Sequence, residues 1–189
     1  ANGLVGVPAQ VLALARASQL AGGPALRFAL LTTDHVPSAI ATAVEGAWGC
    51  TVYNHYGMTE MGLGGGVDCV VRRGYHLREA DLYVEIVDIA GKPVAPGEFG
   101  EIVFTTLTRR GMPLLRYRTG DWGRFFPEPC PCGTVLKTLE HVTCRIAERV
   151  PVGAGVLSLA VLSEALFALE GVVDFAATLE QVVAQSTLR

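Results

Sequence analysis

Two short apolar runs, residues 28–31 and 51–53, enclose a helical pattern at residues 38–48, and that order leaves few folds open. Strand, helix and strand in succession predict parallel neighbours joined by a right-handed crossover. Pro37 stands near the start of the helical stretch and Gly49 follows it, the usual start and stop of a helix. Upstream, Val11, Leu14 and Ala15 recur at helical spacing within residues 8–20, between Pro8 and the stop Gly22-Gly23-Pro24. Residues 1–80 are therefore expected to form a parallel α/β unit.

From Leu82 the pattern changes. Apolar, β-prone stretches at residues 83–87, 102–106, 113–117 and 123–126 alternate with turns such as Ala90-Gly91-Lys92-Pro93. Short strands between Gly and Pro turns predict a small antiparallel or β-barrel-like unit over residues 81–142. Beyond it, a strand with a Gly-rich bend (150–156), an amphipathic helix (159–169) and a strand (172–179) read as the start of a small α/β terminal domain, residues 143–189. The fold class is thus α/β, with a β-rich middle.

Half of the residues are hydrophobic, enough for a sizeable core, and the formal net charge of -3 comes without basic blocks. No nucleic-acid footprint results. No apolar run reaches the roughly 18 residues of a membrane span, because Gly153, Gly155 and Glu164 interrupt the nearest one. The opening residues lack the basic start of a signal peptide. Cysteines number five, an odd count, and two stand in Cys130-Pro131-Cys132; metal or free thiols fit this better than a disulfide framework. A cytoplasmic protein without membrane partners is expected. The chain opens without Met and runs straight into a helical pattern, so it reads as a piece of a longer protein. Apolar surface left by a missing portion makes a homodimer an expected state.

The first chemical motif is Tyr56-Gly57-Met58-Thr59-Glu60, directly after the strand at 51–53. Ligands of open α/β sheets bind beyond the carboxyl ends of strands. Tyr56 offers a flat face for a base, and Gly57 admits close backbone approach. Thr59 can donate to a phosphate oxygen, and Glu60 can hold Mg²⁺ beside phosphates. A plain strand-to-loop turn with a surface Thr-Glu pair explains these five residues equally well. The second motif is Gly100-Glu101-Ile102-Val103 followed by Leu115-Arg116-Tyr117-Arg118-Thr119-Gly120-Asp121. Asp121 at a strand end can accept two hydrogen bonds from vicinal hydroxyls. Arg116 and Arg118 either neutralise phosphate or brace the turn; a basic strand ending in a Thr-Gly-Asp turn is the plain alternative.

The third signal is a ligand set. Cys69 and His76 flank a short loop, and Cys130 and Cys132 form a knuckle further on. Three Cys and one His make a closed tetrahedral set suited to structural Zn²⁺; reduced, partly buried cysteines are the alternative. Zinc there would clamp the loop after the first motif to the loop after Asp121, with no open position for catalysis.

In combination, Tyr-Gly-x-Thr-Glu, Gly-Glu-Ile and Tyr-Arg-Thr-Gly-Asp, in this order and spacing, resemble the adenylate-forming superfamily of acyl-CoA synthetases, luciferases and peptide-synthetase adenylation domains. Pro113-Leu-Leu-Arg-Tyr-Arg-Thr-Gly-Asp and Cys130-Pro-Cys-Gly look like its phenylacetate–CoA ligase branch. The resemblance implies the carboxyl-terminal fragment of an ATP-dependent, AMP-forming acid–CoA ligase, with ATP, coenzyme A, Mg²⁺ and a carboxylic acid, an aryl acid such as phenylacetate favoured, as partners. It implies that Tyr56 and Gly57 meet adenine, that Thr59 and Glu60 are catalytic at the α-phosphate and Mg²⁺, and that Asp121 and Arg145 hold the ribose. Thr32-Thr33-Asp34 stands where the family has a Gly-rich adenine wall. His55 is expected either to line the acyl pocket or simply to pack, and Gly62-Leu63-Gly64 to form part of the acid pocket.

Three family features are missing from the sequence. There is no Gly/Ser/Thr-rich phosphate loop, Lys92 and Lys137 are the only lysines and stand too early for the catalytic one, and Ala147-Glu148 replaces a hinge Asp. Truncation accounts for the first two, whereas the hinge change and the altered Thr32-Thr33-Asp34 segment favour a rival expectation: a non-catalytic nucleotide-binding or zinc-stabilised scaffold derived from such an enzyme. The fragment alone is expected to be inactive.

Overall fold

The computed structural model describes residues 2–18, 23–153, 155–182 and 185–188. Its first layer is a six-stranded sheet in which three parallel strands are continued by three antiparallel ones. Strands β1 (Gly3–Gly6), β2 (Phe28–Leu31) and β3 (Thr51–Tyr56) run parallel. Helices α1 (Pro8–Ser18) and α2 (Ser38–Trp48) supply the connections. Pro8 opens α1 and Gly49 closes α2 in the left-handed conformation (φ 61°), its N–H bonding the Glu45 carbonyl. The sequence predicted β2, α2 and the start of β3. It missed β1, whose four residues are half glycine and so carry little strand propensity. Residues 19–20 of the expected first helix lie outside the described residues.

Past β3 the same sheet turns antiparallel through β4 (Gly66–Asp68), β5 (Tyr75–Leu77) and β9 (Thr138–Leu139). A second, four-stranded antiparallel sheet has the order β10-β8-β7-β6, built from β6 (Leu82–Val87), β7 (Gly100–Thr106), β8 (Tyr117–Gly123) and β10 (Cys144–Arg145). This sheet is the expected β-rich unit, and among the described residues it is open rather than a closed barrel. In place of two strands expected at 113–117 and 123–126, the chain forms a single strand between them, β8; residues 113–116 are irregular and Phe125 makes only an isolated bridge to Leu139. The continuity of β8 depends on Gly120, whose φ of 75° accommodates a register shift opposite Glu101 and Val103, a conformation glycine adopts without a Cβ penalty.

The last part comprises a hairpin of β11 (Val150–Val152) and β12 (Gly155–Leu157), helix α3 (Leu159–Phe167) and a second hairpin, β13 (Leu179–Val182) with β14 (Gln185–Leu188). Ser158 caps α3 by accepting from Val161 N–H at 3.4 Å. The strand expected at 172–179 begins only at Leu179. Residues 172–178 are irregular, and Val172 and Phe175 pack on the first core instead.

Two cores result. One joins α1, α2 and the parallel strands through Val11, Leu12, Ile40 and Val44 and takes in Phe167 of α3. The other lies between the two sheets around Leu77, Leu82, Ile102, Phe104 and Leu139. Phe104 is 0 % exposed and packs against Tyr117 with ring centroids 5.3 Å apart. Phe104→Ala is expected to cost about 3–5 kcal/mol of unfolding free energy, read as a drop in the urea midpoint at constant slope. A loss under about 1 kcal/mol would show that the second core is not closely packed.

Candidate functional site

Strand β3 ends at Tyr56, and the chain then leaves the sheet through Gly57 and Met58 into a single 3₁₀ turn, Thr59–Met61. Alternation along β3 turns Val52, Asn54 and Tyr56 to the buried side. The second motif arrives from the other sheet. The Tyr56 hydroxyl donates to Asp121 Oδ2 at 2.8 Å, a bond between side chains far apart in sequence. Arg145 is the register partner of Asp121 across β10 and β8, and its Nε lies 3.3 Å from Asp121 Oδ1. One carboxylate thus has a phenol on one oxygen and a guanidinium on the other.

Burial and then the Asp121 charge push the Tyr56 phenol far above its ordinary value, so it remains a hydrogen-bond donor. Burial raises the Asp121 carboxyl; the Tyr56 hydroxyl and Arg145 pull it down without cancelling the rise. Tyr56 also stacks on Tyr75 at 5.6 Å between centroids, and Tyr75 meets His141 edge-on at 4.9 Å. His141 Nε2 in turn lies 2.7 Å from the buried Asp68 carboxylate, which also accepts from Asn54 N–H at 2.8 Å.

These groups open on a cavity of about 360 Å³ walled by Tyr56, Gly57, Asp121, Arg145, Thr33, His55 and, from α3, Leu159 and Ala160. Tyr56, Gly57, Asp121 and Arg145, singled out in the sequence, meet there. Thr59 and Glu60 do not wall it; they stand on the adjoining turn, where Glu60 Oε1 accepts from the Tyr117 hydroxyl at 3.2 Å. Arg116 and Arg118 turn elsewhere. Arg116 pairs with Glu85 at 3.1 Å and Arg118 with Glu101, so of the two readings of these arginines the bracing one holds. Thr33 keeps a φ of 78°, a left-handed conformation costly for a β-branched residue.

His55 donates to or accepts from Thr32 Oγ1 through Nδ1 at 2.8 Å, and burial lowers its pKa. Its Nε2 presses on Gly64, where an added Cβ would come within 2.1 Å. Sequence reasoning missed Tyr75, His141 and Asp68. Short strands such as β5 give too few residues for alternation to register, so only the partnering of their side chains identifies them.

The Cys/His set converges. Ligand atoms of Cys69, His76, Cys130 and Cys132 all lie within 4.8 Å of one another. Cys69 Sγ and Cys130 Sγ are 3.7 Å apart, and Cys132 Sγ is 3.4 Å from His76 Nε2. Zinc–sulfur bonds of roughly 2.3 Å at tetrahedral angles put sulfurs about 3.8 Å apart, so these distances suit edges of a zinc tetrahedron. His76 Nδ1 faces Thr138 Oγ1 at 3.4 Å, leaving Nε2 toward the cluster. Cys50 and Cys144 stand outside it as free thiols.

The family model for AMP-binding enzymes matches residues 1–108. The chain belongs to the AMP-binding enzyme family, and its curated relatives are acid–CoA ligases. A phenylacetate–coenzyme A ligase of Thermus thermophilus is 41% identical over 112 residues, 57% of this chain and 25% of that protein. The Escherichia coli enzyme of the same name is 37% identical over 110 residues, again 57% of this chain and 25% of that protein. The chain thus matches about a quarter of the length of these relatives. Among solved structures, a 2-hydroxyisobutyryl-CoA ligase in the postadenylation state superposes with a TM-score of 0.79 at 22% identity, over 90% of this chain and 38% of that one. A benzoate CoA ligase from Burkholderia xenovorans gives 0.68 at 17%, over 99% and 39%. At such identities the agreement is one of fold. Among the described residues no helix is long and apolar enough to cross a membrane.

Proposed function

We propose that this chain carries the adenylate half-site of an ATP-dependent, AMP-forming acid–CoA ligase acting on an aryl acid such as phenylacetate. The observation that carries the reading is the Tyr56–Asp121–Arg145 arrangement on one cavity. Asp121, fixed by the phenol and the guanidinium, keeps lone pairs for two vicinal ribose hydroxyls. Adenine would lie beside Tyr56 and Gly57. Tyr56 is only 8 % exposed, its hydroxyl engaged by Asp121 and its ring stacked on Tyr75, so it offers the base a small part of its ring and not a whole face.

Thr59 and Glu60, one turn on, would stand at the α-phosphate. Glu60 fits a site for Mg²⁺, which is commonly held by one or two carboxylates together with phosphate oxygens. The chemistry a bound Mg²⁺ supplies is neutralisation of phosphate charge. This chain's own part is to orient: Asp121 and Arg145 fix the ribose, and Thr59 donates to the phosphoryl oxygen as charge develops there. Residues 1–80, 81–142 and 143–189 are read as the nucleotide-motif unit, the β-rich unit and the start of the terminal domain. The Cys69–His76–Cys130–Cys132 set is proposed as a structural zinc site, a feature that equally serves a non-catalytic scaffold.

Pyrophosphate release separates the two. A full-length protein containing this chain should release pyrophosphate with phenylacetate and ATP and form the CoA thioester. AMP binding without release for any of a panel of aryl and aliphatic acids would leave the scaffold reading.

A further inference from the structure

Helix α3 carries an acidic residue whose partners all belong to another part of the chain. Glu164 Oε1 accepts from His35 Nε2 at 3.0 Å, and Oε2 accepts from the Ser38 hydroxyl at 2.7 Å. The Ser38 backbone N–H reaches both oxygens, at 3.2 and 3.1 Å. A carboxylate only accepts, so His35 must present its proton on Nε2.

The contact answers a local need of α2. A helix begins with backbone N–H groups that have no partner within the helix, and the residue before α2, Pro37, makes no side-chain cap. Glu164 takes that place from a distance in sequence of 126 residues, and its negative charge suits the positive end of the helix. Burial alone would raise the Glu164 carboxyl, but hydrogen bonds from Ser38 and His35 hold it below its ordinary value.

The rest of the segment is fastened separately. Phe167 is buried in the first core and meets Phe175 at 5.5 Å, and Arg16 Nη1 donates to the Val172 carbonyl at 2.6 Å. Those contacts hold the carboxyl end of α3. Leu159 and Ala160, in its first turn, lie on the cavity wall beside Thr33, Asp34 and His35, and Glu164, one turn further along the same short helix, ties it to the α/β unit.

We infer that Glu164 is a positioning residue for the cavity, clamping α3 to His35 and the first turn of α2 so that Leu159 and Ala160 close one side. The clamp rests on the reading of that cavity as the AMP cleft only for its consequence, not for its existence. If an unclamped α3 leaves the wall in place about one fifth of the time, apparent affinity falls about fivefold, because the binding-competent fraction scales it directly.

The test combines hydrogen exchange with AMP titration of the chain. Glu164→Ala should raise exchange at least about tenfold in residues 38–41 and 159–166, as expected for a local opening, while protection in β6 and β7 stays unchanged. AMP affinity should fall about fivefold. Glu164→Gln, which keeps an acceptor for Ser38, should recover part of both. Unchanged exchange in Glu164→Ala overturns the clamp. So does unchanged AMP affinity in a variant whose unaltered parent binds AMP, since the wall would then not matter. Failure of the unaltered chain to bind AMP would instead sink the nucleotide reading, and the exchange data would judge the clamp on their own.

Discussion

Replacing Asp121 by alanine is expected to weaken AMP binding by at least about thirtyfold, equivalent to roughly 2 kcal/mol, while the sheets remain folded. Hydrogen bonds to a charged group contribute about 1.5–3 kcal/mol each, and a buried donor left without a partner adds a desolvation penalty. The variant removes the acceptor of the Tyr56 hydroxyl and the partner of Arg145 at once. A ligand's ribose would then meet a phenol and a guanidinium where it needs an acceptor. Isothermal titration of AMP into the variant and its parent is the measurement, with Tyr56→Phe as companion. That companion spares the carboxylate, so it should weaken binding far less. Equal losses for both would assign the effect to disrupted packing, and unchanged affinity in Asp121→Ala would remove the residue from the site.

The same carboxylate sets a pH dependence. It must be ionised to accept from both hydroxyls, and its native value lies above the ordinary 3.8 because of burial. Affinity for adenosine should therefore begin to fall on acidification at a higher pH than an exposed aspartate would give, and it should be flat above that range. Adenosine is the better probe here, because AMP's phosphate titrates as well.

Much of this site was legible in the sequence, for a physical reason. Tyr56 ends a strand whose start was predicted, and a site at the carboxyl end of a parallel strand follows from topology; Asp121 was singled out by its motif, although it lies inside β8 and not at a strand end. The Cys69, His76, Cys130 and Cys132 set was legible because few residue types make such ligands. What escaped were side chains whose importance depends on partners remote in sequence. His141 is an unremarkable turn residue until Asp68 is found 2.7 Å away. Glu164 reads as a break in an apolar stripe until Ser38 and His35 are seen on it. Arg116 and Arg118 illustrate the converse. Sequence could not choose between phosphate and bracing roles, and the choice lies with Glu85 and Glu101 on neighbouring strands. Continuous β8 was hidden because Gly120 and Asp121 look like a turn, whereas here glycine serves a register shift within a strand.

Zinc is the second large effect expected. Protein purified without chelator should hold about one zinc per chain, and stripping it should lower the thermal midpoint by roughly 10 °C. The size follows from linkage: a metal present at about a thousand times its dissociation constant stabilises the native state by about 4 kcal/mol, and in a chain of this length each kcal/mol moves the midpoint by roughly 2–4 °C. Cys132→Ser should mimic stripping, whereas Cys50→Ser should leave zinc content intact, since that thiol stands outside the cluster. Under half an equivalent of zinc, or full occupancy in Cys132→Ser, would refute the site. The loss should reach the nucleotide cavity too. Cys69 directly follows Asp68, and His76 directly follows Tyr75, so a ligand pair on the β4–β5 hairpin alternates with the groups behind Tyr56. With the metal gone, the short antiparallel pairings of β4, β5 and β9 and the packing of Tyr75 in the second core are left to hold it between Tyr56 and His141. Stripped protein should consequently bind AMP more weakly at temperatures where it is still folded, and restoring zinc should restore the affinity.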